Sequence, residues 1–170
     1  MRLVFSPIAV AFLAMASATV AAPVPATPQV HPVATHYPIF IVRHMQKDEG
    51  ADPSLTAEGA ANAELLAAML KGKGIAVIFA TPTRRAMETA APLAKLLGIP
   101  VTPYDPAEFG LLATRAAAAG GPVLIVGHSN TVPYIIEYFG AARPGPIGDN
   151  DYGTVFDVEP GGRVTTVPIR

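Results

Sequence analysis

The 170-residue chain has no cysteine and no tryptophan, and only 15% of its residues are charged. The absence of cysteine excludes disulfides, thiolate metal sites, a cysteine nucleophile and a lipoprotein anchor. The 12 basic and 13 acidic residues give a formal net charge of −1, so the chain has no strong field that would attract nucleic acid or an anionic membrane. A hydrophobic content of 51% argues against disorder and is enough to form the core of one domain.

The first 22 residues have the composition of a targeting segment. A positive charge at Arg2 precedes an apolar run that ends at Met15, and small residues follow, with cleavage positions expected after Ala18 or Ala21. The alternative, a retained membrane anchor, is disfavoured because the run is short for a span and is interrupted by a proline. We therefore expect residues 1–22 to be a signal peptide, the protein to be exported to a bacterial periplasm, and the mature chain not to be inserted in a membrane.

The rest of the chain divides into a linker and one domain. Residues 23–37 are rich in proline without a period, which predicts an extended linker. From residue 38 to 170, apolar runs alternate with helical patterns, which is typical of a parallel sheet covered on both faces. The predicted strands are 39–43, 75–80, 99–102, 123–126, 154–158 and 163–167, and the predicted helices begin at an N-cap Thr56, at Thr81-Pro82, near Ala107, and at Ser129 or Asn130. This order predicts an α/β fold: a three-layer, doubly wound, mostly parallel sheet with a C-terminal hairpin at one edge.

Basic side chains stand where three of the predicted strands end. Arg43 and His44 close the first strand, Arg84 and Arg85 follow the second, and His128 follows the fourth. In an open α/β sheet these ends meet at the edge where ligands bind. Guanidinium groups suit phosphate oxygens, the N-terminus of a helix after His128 could add N–H donors, and a neutral imidazole could attack phosphorus to form a phosphohistidine. These residues outline a phosphate site that could work without a metal.

Four segments are similar, in sequence and in order, to the histidine phosphatase superfamily, the phosphoglycerate-mutase-like enzymes. They are Ile41–His44, Leu55–Gly59, Thr81–Ala90 and Gly127–Asn130. The resemblance covers nearly all of the chain after the linker. It implies a small, single-domain, metal-independent phosphomonoesterase that acts through a phosphohistidine.

The resemblance also implies roles for four residues. His44 matches the family's nucleophile, and Arg43 matches a phosphate clamp beside it. Arg85, rather than Arg84, matches the second clamp because it directly precedes the Ala-x-Glu-Thr segment. His128 matches the second histidine, a phosphate ligand that stabilises the transferring group. We expect no metal and no cofactor.

The chain departs from the family pattern at one position of the first motif. Met45 stands where the family usually has glycine. A small subgroup that reads Arg-His-x-x-Lys would match Lys47. We therefore interpret Met45 as a variation that leaves the function intact.

The general acid stays open among four carboxylates. Some family members take the acid from the position after the second histidine, but Ser129 stands there and cannot serve. The candidates are Asp105, Glu108, Asp48 and Glu49, with Asp105 slightly ahead. The acidic loop at residues 149–151 is interpreted as a solvated turn.

Two other functions remain as alternatives. A mutase would need a phosphorylated priming cofactor and a larger capping insertion than the short loops allow, and a non-catalytic phospho-ligand binding module would not need the nucleophile. The short loops predict an open pocket that suits a phosphorylated small molecule, a glycan or a phosphoprotein. We expect a monomer that does not bind nucleic acid.

Overall fold

A computed structural model describes residues 32–170. The signal peptide predicted at 1–22 and residues 23–31 of the predicted linker lie outside this range, so export and cleavage remain predictions. Within the described range, no helix is both long and apolar enough to cross a membrane.

Strands and helices alternate along the chain in the predicted order. The strands are β1 (Ile39–Arg43), β2 (Val77–Ala80), β3 (Val101–Pro103), β4 (Val123–Gly127), β5 (Thr154–Val158) and β6 (Val164–Pro168). The helices are α1 (Ala57–Leu70), α2 (Arg84–Leu97), α3 (Phe109–Ala117) and α4 (Val132–Tyr138).

The strands form one sheet in the order β3-β2-β4-β1-β5-β6. Strands β1 to β4 are parallel, whereas β5 pairs antiparallel with β1 and with β6, so the C-terminal hairpin lies at one edge. Successive residues of β1 point to opposite faces and are buried on both, which explains its unbroken apolar run. Phe40 packs in a core with α1 and α2, and Ile41 packs in a second core with α3 and α4. The predicted three-layer, mostly parallel architecture is confirmed.

The predicted start of α2 at Thr81-Pro82 is wrong. The helix begins at Arg84, after Thr83 in an extended conformation. Thr81 cannot cap it because its hydroxyl lies 2.9 Å from Nε2 of His128 and is fully buried. The side chain that resembled a helix cap therefore serves the strand-end cluster.

The predicted start of α4 is also too early. The helix begins at Val132, with Thr131 rather than Asn130 at its N-cap position. The Thr131 hydroxyl accepts a hydrogen bond from the backbone N–H of His128 at 2.9 Å, which fixes a turn between β4 and the helix. His128 consequently lies on this turn, before the first residue of α4, Val132. The carbonyl of His128 accepts from the N–H of Val132 at 3.0 Å, so this turn leads directly into the helix, which begins a few residues later than predicted.

Candidate active site

The four predicted site residues converge at the carboxyl edge of the parallel strands. Arg43 ends β1 in register with Gly127 of β4, so His44 and His128 leave neighbouring strands side by side. Their ring centroids lie 5.3 Å apart in an edge-to-face arrangement. Arg85 stands in the first turn of α2, close enough for its charge to act on both imidazoles.

Two hydrogen bonds fix the orientation and the tautomer of His44. Its backbone N–H donates to the carbonyl of Gly127 at 2.9 Å, and its Nδ1 lies 2.8 Å from the carbonyl oxygen of Met45. A carbonyl oxygen can only accept, so Nδ1 must carry the proton and Nε2 must keep its lone pair. Nε2 is therefore the ring nitrogen of His44 that has a free lone pair.

Burial keeps the His44 ring neutral. The residue is only 3% exposed, and this desolvation is the main reason that the pKa of His44 falls from 6.5 to about 4. The bond to the Met45 carbonyl opposes the decrease, while the neighbouring His128 and the two arginines add to it. At neutral pH the ring is uncharged, which is the form that can attack phosphorus.

His128 is held by two threonines. Its backbone N–H bonds to Thr131, and its Nε2 lies within hydrogen-bond distance of the Thr81 hydroxyl. Burial, then the charges of Arg85 and Arg43, lower the pKa of His128 from 6.5 to about 4. Both histidines are therefore neutral in the free protein.

We predict that both rings stay neutral well into the acid range. Between pH 6.5 and about 4 the unfolded chain takes up protons at His44 and His128 that the folded chain does not. The free energy of unfolding should therefore fall as the pH decreases through this window, by up to about 3 kcal/mol for His44 and by less for His128, which is more exposed. NMR titration of the two rings and urea unfolding at several pH values measure both effects.

The matched control is His44→Gln. Its free energy of unfolding should depend less on pH than that of the wild-type protein, because the His44 titration is lost. The carboxylates titrate in both proteins, so their effect cancels in the comparison. Ring resonances of His44 and His128 that titrate near the ordinary histidine value of about 6.5 would contradict the burial account.

Arg43 is oriented by a segment far away in sequence, residues 148–152. Its Nη1 donates to the carbonyl oxygens of Gly148 at 2.6 Å and Asp151 at 3.3 Å. Its Nη2 donates to the hydroxyl of Tyr152 at 3.1 Å, and the guanidinium carbon lies 4.0 Å from the centroid of that ring. The Nε–H of Arg43 is buried and has no hydrogen-bond partner among the described residues.

Arg85 has a similar free donor and a different anchor. Its Nη1 lies 3.6 Å from Oδ1 of Asp52, and no group in the described part of the chain accepts from its buried Nε–H. Arg84 is exposed, as expected. Leaving a buried donor unsatisfied costs roughly 1–3 kcal/mol, so the Nε–H groups of Arg43 and Arg85 both favour an anion that accepts from them. The arrangement is suited to a phosphoryl group between the two guanidinium ions.

The segment after His44 is held by the motifs that accompany it in the sequence. Thr89 accepts from the N–H of Met45 at 3.0 Å, and the Glu88 carboxylate accepts from the N–H of Leu55 at 2.7 Å. Helix α1 contacts the same segment so closely that a Cβ on Gly59 would lie 2.0 Å from the carbonyl oxygen of Gln46. These contacts explain why the Gly and the Glu-Thr pair are needed at those positions.

Met45 fits the space that the family's glycine would leave empty. Its side chain is fully buried in the core formed with α1 and α2. Among residues 32–170, no non-glycine residue has a positive φ, so this position does not require the conformational freedom of glycine. Lys47 is exposed and donates to the carbonyl of Asp48 instead of joining the cluster.

The four candidate acids lie at the surface. These candidates are Asp105, Glu108, Asp48 and Glu49. In the described part of the chain, none of the four carboxylates makes a hydrogen bond or ion pair to a predicted site residue. The Asp105 carboxylate instead closes a turn by accepting from the N–H of Ala107 at 2.8 Å. The identity of the general acid stays a prediction.

Sequence reasoning missed the contribution of Tyr152 and of the turn before it. Residues 149–151 form an exposed turn, as predicted, but the carbonyl of Asp151 and that of the preceding Gly148 also bind Arg43, and Tyr152 lies beside His44. A cavity of about 410 Å³ adjoins Arg43 and is lined in part by this turn. Two of the contacts to Arg43 use backbone carbonyls, which leave no residue pattern. The others use Tyr152, and an aromatic residue in a polar turn is a weak signal in the sequence.

The model of the histidine phosphatase superfamily (branch 1) matches residues 39–106, which include Arg43, His44 and Arg85. The predicted resemblance to the histidine phosphatase superfamily is confirmed. The match to this superfamily supports a phosphatase. No curated protein matches the chain.

Several solved structures are similar to this chain in fold. The protein histidine phosphatase SixA in complex with tungstate is 23% identical with a TM-score of 0.58, and the alignment covers 76% of this chain and 94% of that one. A mycobacterial glucosyl-3-phosphoglycerate phosphatase is 15% identical with a TM-score of 0.56, covering 77% and 97%. A phosphoserine phosphatase mutant from Entamoeba histolytica, in complex with phosphoserine, is 16% identical with a TM-score of 0.57, covering 77% and 94%.

Proposed function

We propose that the protein is a metal-independent phosphomonoesterase that hydrolyses a phosphate ester through a phosphohistidine on His44. The observation that carries this proposal is the hydrogen bond from Nδ1 of His44 to the Met45 carbonyl. It leaves a lone pair on Nε2 of a neutral, buried ring, with two guanidinium ions beside it. Nucleophile and positive charge are thus in place before substrate binds.

The proposed reaction has two displacements at phosphorus. In the first, Nε2 of His44 forms a bond to phosphorus as the ester P–O bond breaks, and the leaving oxygen takes a proton to become an alcohol. In the second, water attacks the phosphohistidine, the P–N bond breaks, and inorganic phosphate leaves. The proton that water loses balances the one given to the alcohol, and Nε2 regains its lone pair.

Arg43, Arg85 and His128 are proposed to stabilise the transferring group. The two Nε–H donors can bind equatorial phosphoryl oxygens and hold them in place as the phosphoryl group moves. The charge on these oxygens increases little during the transfer. Their fixed charges take the part that a divalent cation takes in other phosphoryl transfers. In residues 32–170, no cluster of three or more His, Asp or Glu side chains is arranged to hold a metal ion.

A hydrolase is favoured over a mutase by the loops around the site. Residues 44–56 join β1 to α1, and residues 104–108 join β3 to α3. Neither connection carries a capping insertion that would retain a phosphorylated intermediate for transfer back to the substrate. Water is therefore the expected acceptor.

Hydrolysis of p-nitrophenyl phosphate by the purified protein tests this proposal. We expect turnover that EDTA does not reduce, because the charges at the site belong to arginines. A panel of sugar phosphates, phosphoserine and a phosphohistidine peptide then identifies the substrate class among small molecules, glycans and phosphoproteins. Absence of turnover with every compound, or activity that EDTA removes and added metal restores, would contradict the proposal.

A further inference from the structure

Tyr152 contacts two members of the candidate active site, although it belongs to none of the sequence motifs. Its hydroxyl accepts from Nη2 of Arg43, and its ring lies under the guanidinium group. Its ring centroid is 6.0 Å from that of His44. The residue is half-buried and directly precedes the edge hairpin that pairs with β1.

These contacts restrict Arg43 in two independent ways. The ring limits movement of the guanidinium toward that side, and the hydroxyl holds Nη2 by a hydrogen bond. The carbonyls of Gly148 and Asp151 hold Nη1 at the opposite side, and the Asp151 carboxylate closes their turn by accepting from the N–H of Gly148 at 2.8 Å. The buried Nε–H has no hydrogen-bond partner within residues 32–170, so an anion placed against it would satisfy this donor.

We propose that Tyr152 is a positioning residue of the active site, which orients the guanidinium of Arg43 toward the phosphoryl group. The inference rests on the proposed function for its catalytic meaning, but its effect on anion binding does not require turnover. Arginine has several rotatable bonds, and ordering them on binding weakens affinity. A preorganised Arg43 avoids that cost.

Binding of inorganic phosphate, measured by calorimetry, tests the role without reference to activity. We expect Tyr152→Leu to weaken phosphate binding by about tenfold, because both the ring and the hydroxyl are lost. Tyr152→Phe keeps the ring and should weaken binding by only about threefold. The kcat/KM for p-nitrophenyl phosphate should fall in the same order, while thermal unfolding of Tyr152→Phe stays close to that of the wild-type protein.

A double-mutant cycle with Arg43→Gln separates positioning from a merely structural role. If Tyr152 acts through Arg43, then Tyr152→Leu should have almost no further effect on phosphate binding once Arg43 is replaced. Tyr134→Leu is the matched control, because the Tyr134 ring also lies against an arginine, Arg143, at 4.1 Å, but Tyr134 is exposed and takes no part in the described hydrogen bonds of Arg43. It should change phosphate binding by less than about twofold.

The outcomes for the two proposals are distinguishable. The role of Tyr152 is overturned if Tyr152→Phe and Tyr152→Leu bind phosphate as tightly as the wild-type protein. It is also overturned if Tyr152→Leu weakens phosphate binding equally in the wild-type and Arg43→Gln backgrounds. Both results would count even if the protein is an active phosphatase. A wild-type protein that binds phosphate and shows the expected coupling but hydrolyses no ester overturns the proposed function alone.

Discussion

Replacing His44 with alanine is expected to lower kcat for p-nitrophenyl phosphate by at least about 10⁴-fold, because the variant loses the atom that forms the covalent intermediate. The remaining groups can position the ester but cannot accept the phosphoryl group. Binding of inorganic phosphate should persist, since Arg43, Arg85 and His128 are unchanged. The measurement is steady-state hydrolysis together with calorimetric phosphate binding.

His36→Ala is the control for this prediction. His36 is exposed in the segment before β1, so its replacement should leave both hydrolysis and phosphate binding unchanged. His44→Gln provides a second replacement of similar size if alanine disturbs the buried site. Substantial hydrolysis by either His44 variant would rule out His44 as the nucleophile.

Replacing Arg85 with glutamine has the second largest expected effect, a loss of about 100-fold in kcat/KM. The variant removes one fixed charge from the transferring phosphoryl group, and losing one such donor typically costs about 10²–10³-fold. It also removes a cation that acts on His128. Burial is the largest cause of the lowered pKa of His128, and the charge of Arg85 is the second largest. The pKa of His128 should therefore rise in the variant, which an NMR titration detects without any assay of activity.

Arg84→Gln is the matched control, since Arg84 is the neighbouring residue in the same turn of α2 but points to solvent. It should change kcat/KM by less than about twofold. If the Arg84 variant loses as much activity as the Arg85 variant, or if the pKa of His128 is the same in both, the second clamp has been assigned to the wrong arginine.

The sheet and its strand-end cluster could be predicted because each rests on a local pattern. The apolar runs before Arg43 and before His128 indicate strands buried on both faces, and parallel strands place their carboxyl ends at one edge. Arg43, His44 and His128 then come together by topology alone. Only the resemblance favours Arg85 over Arg84 as the second phosphate ligand. In the structure the charge of Arg85 acts on both His44 and His128.

The parts that could not be predicted depend on contacts distant in sequence. Thr81 resembles a helix cap, yet its hydroxyl faces His128, a residue 47 positions later. The turn before Tyr152 resembles a solvated loop, yet the carbonyls of Gly148 and Asp151, whose direction no residue type encodes, accept from Arg43 together with the Tyr152 hydroxyl. In both cases the geometry of the candidate site depends on contacts that local sequence propensity does not encode.

Identification of the phosphorylated residue during turnover tests the central claim most directly. The wild-type protein is mixed with a phosphate ester, quenched within the first turnovers under alkaline conditions that preserve phosphohistidine, and mapped by mass spectrometry. The predicted result is that His44 carries the phosphate and His128 does not. Nε2 of His44 has a free lone pair, whereas Nε2 of His128 is hydrogen-bonded to the Thr81 hydroxyl. Phosphate on His128 or on a non-histidine residue would contradict the account.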